Sequence, residues 1–600
     1  MLPRLSNIPV QSHTIIDGFK GINVTNTYEA GELCSCTDID SAAYPAIGTR
    51  KKRTLHSSCD GRINGVGSHN GYFYTFYKEN PSSVYLYFGG KTYNYTAYSS
   101  SDDYSARRRF AFLENAILII PDSVIFFTDT LKFKRSEFKQ SLNNGTAKEK
   151  FNKESGGSKT FTFAGNEAIG RIYSNKITSL SLKYIPGAST QYTFCPCNFS
   201  GNFEVGDTVT VKFKAFSSTV SVSTYYQDMA RLEQGYTLRI KSLAKTTYRT
   251  PALSSAVTEV TEMVFEGNPL SIVSPYAEVN FSEVTIEKKL PPLSFVTSHN
   301  NRVWAVGANK VYASKLGDAD EWNDFSTDSY GTLPSSSFSA SAGTDGNFTA
   351  IIPHGNYIYA FKENHIHKIY GDTPDEYTIS NLEAPGCAKD GSTLCVCGMY
   401  LMYASHDGIC VLRDGYPRIV SKKIGYVTPI CAASQGGRYY LLCQKGNGRV
   451  IYVYDLERDL WTMESCPDDT DNLCSDMSSV CFSDGGSLVY LTPENGSEYE
   501  RDVHWNFRLR FDRNRFSLNT AIRAIARINL EKNSSFTVRV IYDDDSVSAI
   551  CGLCYDETKY GSAVMRLPIK RDLGFSLEFK GVGGFTLRNI RFNYYKSIEE

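Results

Sequence analysis

Residues 300–313, NNRVWAVGANKVYA, contain the pattern that decides the fold. An Asn-Asn turn precedes a strand of largely apolar residues, and a second turn and a second strand follow it. This order is the sequence form of a β-hairpin. The pattern of a Gly or Asn turn before an alternating strand recurs along the chain, with predicted strands at residues 72–77, 116–120, 302–306, 357–361, 399–403, 438–443 and 487–491.

The spacing of these hairpins indicates a repeated β unit. From residue 300 onward they recur at roughly 40 to 55 residues, near the period of propeller blades with four short strands each. A stack of β-sandwiches is the alternative, because it also contains many short strands with turns between them. Helical spacing is interrupted throughout, and residues 227–234 are the best short helix candidate. We predict an all-β chain: a β-propeller core with an inserted β-domain and a C-terminal β-sandwich.

Changes of composition and of strand pattern along the chain predict the domain boundaries. A polar stretch at 143–159 reads as a linker, and strictly alternating strands follow at 203–213 and 279–286. After about residue 500 the hairpin rhythm gives way to long predicted strands, at 522–530, 535–542, 575–579 and 585–595. The predicted domains are 1–141 (N-terminal arm and first propeller blades), 142–290 (inserted β-barrel or β-sandwich domain), 291–500 (remaining blades) and 501–600 (C-terminal β-sandwich).

The charge balance argues against a chain that binds polyanions over its whole surface. The 600 residues carry 63 basic and 64 acidic side chains, a net charge of −1, which leaves room only for a local basic patch. No apolar stretch of signal-peptide length opens the chain, and the longest apolar run, 116–128, is interrupted by Pro121 and Asp122. We therefore expect the 16 cysteines to be reduced thiols made in a cytoplasm.

Several residue patterns could bind metal ions, and each is incomplete. Cys551 and Cys554 form half of a zinc site, but no second pair follows. His365 and His367 would share one face of a strand, a pairing that is more often structural than metal-binding. Three CxC pairs are predicted to be core residues, Cys34/Cys36, Cys195/Cys197 and Cys395/Cys397. The acidic clusters at 468–471 and 543–545 lack the glycine and the terminal glutamate of a calcium loop, so solvated turns are the better interpretation.

Patterns that would indicate catalysis are also missing from the sequence. No Gly-rich loop opens a helix to hold phosphate, and no Gly-x-Ser-x-Gly elbow is present. Propeller enzymes collect their catalytic residues from several blades, so each missing pattern is weak on its own. Together they favour a binding or structural protein, with no catalytic residue, cofactor or metal predicted.

Several segments of the sequence resemble one group of known proteins. Residues 301–318, followed by EWNDF at 321–325, resemble a recurring stretch of bacteriophage tail-associated β-propeller proteins, in which a hairpin leads into an aromatic loop. Other segments resemble the same group in the same order, at 348–353, 357–362, 367–371, 386–390 and 401–409. Residues 19–23, 31–33 and 44–47 look like the opening of such proteins, and 575–595 look like their closing β-domain. The likeness covers most of 15–135 and 290–600.

The resemblance implies a non-enzymatic virion component of the tail, at the nozzle, neck or tip, made in the host bacterial cytoplasm. It implies a ring of copies of the chain, in contact with other tail or neck proteins, that forms part of a DNA channel or of a host-attachment platform without membrane insertion. In such a channel the two densest basic runs would face transiting DNA without sequence specificity. The candidate DNA-facing residues are Arg50, Lys51, Lys52, Arg53, Arg107, Arg108 and Arg109.

Two other classes of propeller remain as alternatives. A glycan-binding propeller, for host-receptor binding or as a sialidase-like enzyme, is expected to repeat Ser-x-Asp-x-Gly-x-x-Trp boxes. The chain has only four Trp, and none lies in such a box. A kelch or WD40-type scaffold would show Gly-His and Trp-Asp signatures in each blade, which are missing here.

Overall fold

Nearly all regular structure in the computed structural model is β-strand, and the described residues contain one short 3-10 turn, Ser421–Lys423. The structure describes residues 10–27, 29–69, 72–80, 83–96, 107–135, 137–143, 146–148, 158–164, 168–173, 180–184, 208–218, 234–249, 257–266, 279–289, 293–322, 327–328, 331–388, 391–476, 478–491, 497–512, 520–542, 546–555, 559–567 and 574–596. The chain divides into two compact units. Unit 1 comprises Met1–Arg109, Thr344–Lys368 and Ser380–Glu600, and unit 2 comprises Phe110–Gly343 and Ile369–Ile379. The all-β prediction is confirmed.

Seven antiparallel sheets within the described residues are the blades of the β-propeller. Five of them contain four strands that are consecutive in the chain, and each of the other two includes a strand that is not consecutive with its neighbour. Strands are numbered in chain order. Two blades are β6 (Arg62–His69), β7 (Tyr72–Asn80), β8 (Ser83–Phe88), β9 (Lys91–Asn94); and β10 (Arg109–Leu113), β11 (Ala116–Ile120), β12 (Val124–Phe127), β13 (Lys132–Arg135). Two more are β23 (Phe295–His299), β24 (Arg302–Gly307), β25 (Lys310–Ala313), β28 (Phe338–Ser341); and β29 (Ala350–His354), β30 (Tyr357–Phe361), β31 (His365–Tyr370), β32 (Thr378–Glu383).

The other three blades follow along the chain. They are β33 (Cys395–Cys397), β34 (Tyr400–Ser405), β35 (Gly408–Arg413), β36 (Tyr416–Ile419); β37 (Thr428–Gln435), β38 (Arg438–Lys445), β39 (Gly448–Asp455), β40 (Leu460–Ser465); and β41 (Leu473–Ser475), β42 (Val480–Asp484), β43 (Ser487–Tyr490), β5 (Thr54–Ser58), with β44 (Ser497–Glu498) beyond β5. Each of the seven predicted hairpin strands lies in a different blade. Two of them, β11 and β30, have the predicted bounds.

Turn chemistry explains why these strands begin where they do. Asn300 and Asn301 form the two-residue loop between β23 and β24, with φ of 48° and 55°. Gly436 and Gly437 take the same place between β37 and β38, with φ of 57° and 76°. Positive φ at both positions is the type I′ geometry that matches the twist of the flanking strands.

Burial separates the propeller from the sandwich alternative. Every residue of β11 and β24 is buried, and so are residues 439–443 of β38. A strand of a solvated sheet buries only alternate residues, whereas an inner strand of a blade is covered on both faces. These predicted strands are therefore buried on both faces, as inner strands of blades are, and do not have one face in solvent.

An N-terminal strand completes the last blade. β5 pairs antiparallel with β43, from Ser487 opposite Ser58 to Tyr490 opposite Thr54. Main-chain hydrogen bonds extend the contact beyond β5, because the Cys59 amide donates to the Gly486 carbonyl at 2.8 Å. This blade thus joins residues that are more than 400 positions apart in the sequence.

The inserted β-domain forms one nine-stranded antiparallel sheet in unit 2. In spatial order its strands are β14 (Glu137–Asn143), β22 (Val279–Lys289), β19 (Thr208–Ser218), β20 (Tyr236–Arg249), β21 (Val257–Glu266), β18 (Leu180–Tyr184), β17 (Ala168–Tyr173), β16 (Ser158–Ala164) and β15 (Thr146–Lys148). A separate two-stranded ribbon is formed by β26 (Thr327–Asp328) and β27 (Gly331–Thr332). Nearly all of the predicted helix at 227–234 lies outside the described residues.

The C-terminal β-sandwich includes the N-terminal arm. One sheet contains β1 (Val10–Ile16), β3 (Ile39–Asp40), β4 (Ile47–Thr49), β46 (Thr520–Leu530), β49 (Lys559–Arg566) and β51 (Phe585–Lys596). The other contains β2 (Leu33–Thr37), β45 (His504–Asp512), β47 (Ser534–Tyr542), β48 (Val547–Tyr555) and β50 (Gly574–Val582). Aromatic rings join the two inner faces, since the centroids of Phe511 and Phe592 lie 4.5 Å apart.

The sandwich and the blade β37–β40 share one hydrophobic core. β40 is the outer strand of its blade, yet five of its six residues are buried, because the N-terminal arm lies over it. The Ile22 amide donates to the Trp461 carbonyl, and the Asp38 amide donates to the Met463 carbonyl, both at 2.8 Å. The arm therefore fixes the sandwich to this blade.

Replacing Gly581 of β50 by alanine tests the packing of the sandwich. A Cβ at this position would overlap the Trp505 ring and the Ser535 carbonyl oxygen, so we expect G581A to lower the free energy of unfolding by about 1–3 kcal/mol. The matched control is G561A in β49, where no atom lies within 4 Å of the added Cβ. Urea unfolding followed by circular dichroism would contradict the packing described here if both variants unfolded at the same midpoint.

Candidate functional site

The structure gives the first predicted basic run mainly a structural role. Arg50 is 7% exposed, and its Nε donates to Asp38 Oδ1 at 2.6 Å while its Nη2 donates to Glu500 Oε2 at 3.0 Å. Arg53 is 3% exposed and donates to Glu464 Oε2 at 3.0 Å. Guanidinium groups held by buried carboxylates are out of reach of a DNA phosphate. The charges of Arg50 and Arg53, which the sequence predicts to face DNA, are therefore not accessible at the surface.

The pKa values of the carboxylates reflect this network. Burial raises the pKa of Glu500, but the hydrogen bond and charge of Arg50 outweigh it, so the net pKa is lowered. For Glu464 burial dominates, and its pKa is raised despite the charges of Arg53 and Arg50. The two carboxylates are thus not equivalent, because Glu464 is the more deeply buried of the pair.

The other predicted basic residues divide into exposed and buried groups. Lys51 and Lys52 are exposed, and Lys52 Nζ lies 3.8 Å from Asp502 Oδ1. Arg108 is buried, whereas Arg107 and Arg109 are half-buried. Arg107 Nη2 donates to the Asp471 carbonyl at 2.6 Å, and Arg109 Nη2 donates to Ser392 Oγ at 3.1 Å. Of the seven candidates, Lys51 and Lys52 have the most accessible charges.

His365 and His367 are on one strand, β31, with ring centroids 6.1 Å apart. His367 is fully buried, and its Nε2 lies 3.0 Å from Thr344 Oγ1. Burial, aided by the charge of Lys362, lowers the pKa of His367 to about 4. The Lys362 ammonium donates to the Thr344 carbonyl at 2.7 Å. His367 therefore has a neutral imidazole and a structural role in this blade.

The cysteine pairs that the structure describes contain protonated, largely buried thiols. Cys36 and Cys397 are fully buried, and burial raises the pKa of each to about 12. Cys195 and Cys197 lie outside the described residues, as does the acidic cluster at 543–545; the side chains of Cys551 and Cys554 are likewise not described. Within the described part of the chain, no group of three or more His, Cys, Asp or Glu side chains is placed to hold a metal ion.

In the acidic cluster at 468–471, Asp471 is a partner of two arginines. Arg62 Nε donates to Asp471 Oδ2 at 2.8 Å, and Arg449 pairs with the other carboxylate oxygen. Burial raises the pKa of Asp471, but these two arginines outweigh it and lower the net value. This carboxylate thus has a structural role between blade strands.

A basic surface that the sequence analysis did not identify lies on the sandwich. Five exposed arginines point outward from three adjacent strands of the six-stranded sheet, and we call them the arginine face: Arg523, Arg527, Arg566, Arg588 and Arg591. The alternate residues Ala524, Ala526 and Ile528 of β46 point into the core. Alternation along each strand thus places all five guanidinium groups on the solvent side.

Strand pairing sets the arrangement of the arginine face. Arg523 lies directly opposite Arg566 of β49, and Arg591 of β51 lies opposite Ile525. A β-bulge opposite Arg527 leaves Arg588 as the extra residue of β51. The charges therefore run diagonally over three strands rather than along one.

Four strands of the sheet, the three of the arginine face and the neighbouring β1, contain no acidic residue. Strands β1, β46, β49 and β51 contain the five arginines, Lys559 and Lys596, and no Asp or Glu. No ion pair joins any of the five arginines to another residue that the structure describes. The half-exposed apolar side chains of Ile15 and Val564, 49% and 46% exposed, lie among them. A strongly positive surface thus occurs on a chain whose net charge is −1.

The opposite sheet of the sandwich has a shallow depression of about 460 Å³, lined by both polar and apolar residues. Its lining includes His504, Asn506, Ser535, Thr537 and Lys580, which are polar residues of β45, β47 and β50. The ring of Trp505 is almost fully buried below it and offers no stacking surface. The depression provides hydrogen-bonding groups for a polar ligand.

Comparison with known proteins gives no family for the chain. No family model and no curated protein matches it. Among solved structures, Sqt1 of Saccharomyces cerevisiae matches at 7% identity and a TM-score of 0.29, over 74% of this chain and all of that one. The exo-β-1,3-galactanase Pc1,3Gal43A of Phanerochaete chrysosporium, with galactose, matches at 11% identity and a TM-score of 0.20, over 51% of this chain and 96% of that one. Matches at this level carry no conclusion about function.

Nothing in the described residues has the length and apolar character of a membrane-spanning helix.

The buried imidazole of His367 predicts a pH dependence of stability. Above pH 6.5 the imidazole of His367 is neutral in both the folded and the unfolded chain. Between pH 6.5 and about 4 only the unfolded chain binds the proton. The free energy of unfolding therefore falls as the pH falls through this window. H367Q removes the group, and we expect a shallower loss of unfolding free energy over the same window. Urea unfolding at a series of pH values measures it. The control H406Q, at a side chain 56% exposed, should keep the wild-type slope; equal slopes for all three proteins would contradict the prediction.

Proposed function

We propose that this chain is a non-enzymatic structural protein of a bacteriophage tail, at the nozzle, neck or tip, that assembles with copies of itself into a ring. The ordered segments that resemble tail-associated propeller proteins support the proposal. The fold agrees with the resemblance, since a β-propeller core, an inserted β-domain and a C-terminal β-sandwich are all present.

The observation that carries the assembly part of the proposal is a set of exposed apolar side chains on and around an outer strand. β36 is the outer strand of its blade, and among the described strands it pairs with β35 alone. We define the outer-edge patch as Val24, Tyr416, Ile419 and Tyr426, of which Tyr426 is 94% and Tyr416 55% exposed. Exposed aromatic side chains next to unpaired backbone groups are typical of protein–protein contacts.

The outer-edge patch is held in place by the fold. The Val24 amide donates to the Lys423 carbonyl at 2.8 Å, which ties the N-terminal arm to the segment after β36. Arg418 Nη2 lies 3.8 Å from Asp414 Oδ2, so the edge also has charges of both signs. Apolar groups with charges of both signs suit a contact of fixed register, and a head-to-tail contact between copies closes into a ring when its rotation allows.

Removing the two exposed tyrosines tests this assembly. Wild-type chain is expected to give closed rings in negative-stain electron microscopy and a multiple of the chain mass by light scattering. Y416S/Y426S should shift the protein toward monomer at least tenfold in dissociation constant, because an aromatic anchor of an interface commonly contributes 1.4 kcal/mol or more, about a factor of ten.

The matched control is M399S. Met399 is 81% exposed but lies at the β33–β34 turn, at the other edge of the same blade, so this variant should assemble like the wild type. A wild-type chain that stays monomeric at high concentration would overturn the ring. Equal loss of assembly in both variants would show that the outer-edge patch is not the contact.

The depression on the sandwich favours glycan binding as the second candidate function. Its side chains offer several donors and acceptors on a fixed sheet, which is what a sugar hydroxyl array requires. A monomer that binds sugars on a glycan array, and loses them on N506A/T537A substitution, would favour this candidate over the ring.

A further inference from the structure

We propose that the arginine face binds the sugar-phosphate backbone of double-stranded DNA without reading its sequence. Naming DNA as the partner extends the proposed function. The biological setting of this binding rests on that function, because a tail channel is where the chain would meet DNA. The binding itself depends only on the surface and is tested separately.

The chemistry of the arginine face points to phosphate. All five of its defining cations are arginine, whose planar guanidinium matches phosphate oxygens with two parallel hydrogen bonds. All five are exposed, so the charge is accessible without unfolding or breaking a buried ion pair. This is the reverse of Arg50 and Arg53, whose charges are satisfied inside the protein.

The single sign of the charge points to a repeating polyanion. Protein interfaces usually combine charges of both signs, because complementary pairs fix the register of the two partners. The strands of the arginine face contain seven cations and no carboxylate, so nothing on them selects one register over another. Duplex DNA, with one negative charge about every 1.7 Å of its axis, needs no fixed register.

The geometry favours contact with backbone rather than with bases. Arg523 and Arg527 lie on one strand about 13 Å apart, and neighbouring strands add charges at steps of about 4.8 Å. A broad sheet face of this kind meets the phosphates that line a groove, whereas base edges are read by a helix or a two-stranded ribbon that enters it. The contact is therefore expected to be insensitive to sequence.

Salt dependence gives the first test. The full chain is titrated against two labelled duplexes of unrelated sequence by fluorescence anisotropy, between about 50 and 200 mM KCl. Five phosphate contacts predict a slope of log K against log salt of about −4.5, the same for both duplexes. A flat dependence on salt, or binding to one duplex alone, would overturn the proposal.

A matched pair of triple variants locates the contact. R523Q/R527Q/R591Q removes three charges from the arginine face and should reduce the slope by about 2.7. R510Q/R539Q/K532Q removes the same charge from exposed positions on the other sheet of the sandwich and on the turn before β47, and should keep the wild-type slope. Equal losses in the two variants would show that the total charge, not the arginine face, determines binding.

Further controls separate the other outcomes. Circular dichroism and melting midpoints show whether both triple variants are folded. If R523Q/R527Q/R591Q melts early, the single substitutions R527Q and R591Q replace it. Each single substitution should reduce the slope by about 0.9. Competition by anionic lipid vesicles or by polyglutamate at lower charge concentration than DNA would assign the face to a membrane or to an acidic protein instead. Particle mass is measured on the same variants, so a ring that fails to bind DNA and a monomer that binds it are distinguished.

Discussion

The buried ion pairs around Arg50 are the constraint on which the rest of unit 1 depends. Its guanidinium meets carboxylates from three elements: Asp38 of the N-terminal arm, Glu464 of β40 and Glu500 of the segment before β45. A buried charge without its partner costs several kcal/mol, so no one of the three elements can be displaced alone. The sandwich, the arm and the blade must therefore assemble together.

The N-terminal arm connects the ion pairs around Arg50 to the sandwich and to two blades. Before Arg50 the arm supplies β1 to the six-stranded sheet and covers β40; after it, β5 completes the last blade. One continuous core extends from the sandwich into two neighbouring blades. The arginine face lies on the outside of that core, so its strands are held by packing from below while their other side remains open to a partner.

Four residues of the kinds used in catalysis have structural roles in the regions described. His367 is neutral and buried beside Thr344, the thiols of Cys36 and Cys397 are protonated in the core, and Asp471 pairs with two arginines. Two exposed surfaces, the outer-edge patch on a blade and the arginine face on the sandwich, are the basis of the proposed assembly and of the proposed DNA contact.

The sequence by itself determined the strands, because turn chemistry and apolar runs are local. Asn300–Asn301 and Gly436–Gly437 require positive φ, and the strands after them begin where predicted. Only the tertiary structure decided that β5 belongs to the last blade and β1 to the sandwich, because strand pairing joins residues hundreds of positions apart. It also decided which charges are accessible. Arg50 lies in a dense basic run yet is buried by carboxylates from distant segments, whereas Arg523, Arg566 and Arg591 are far apart in the chain and meet only through the register of three strands.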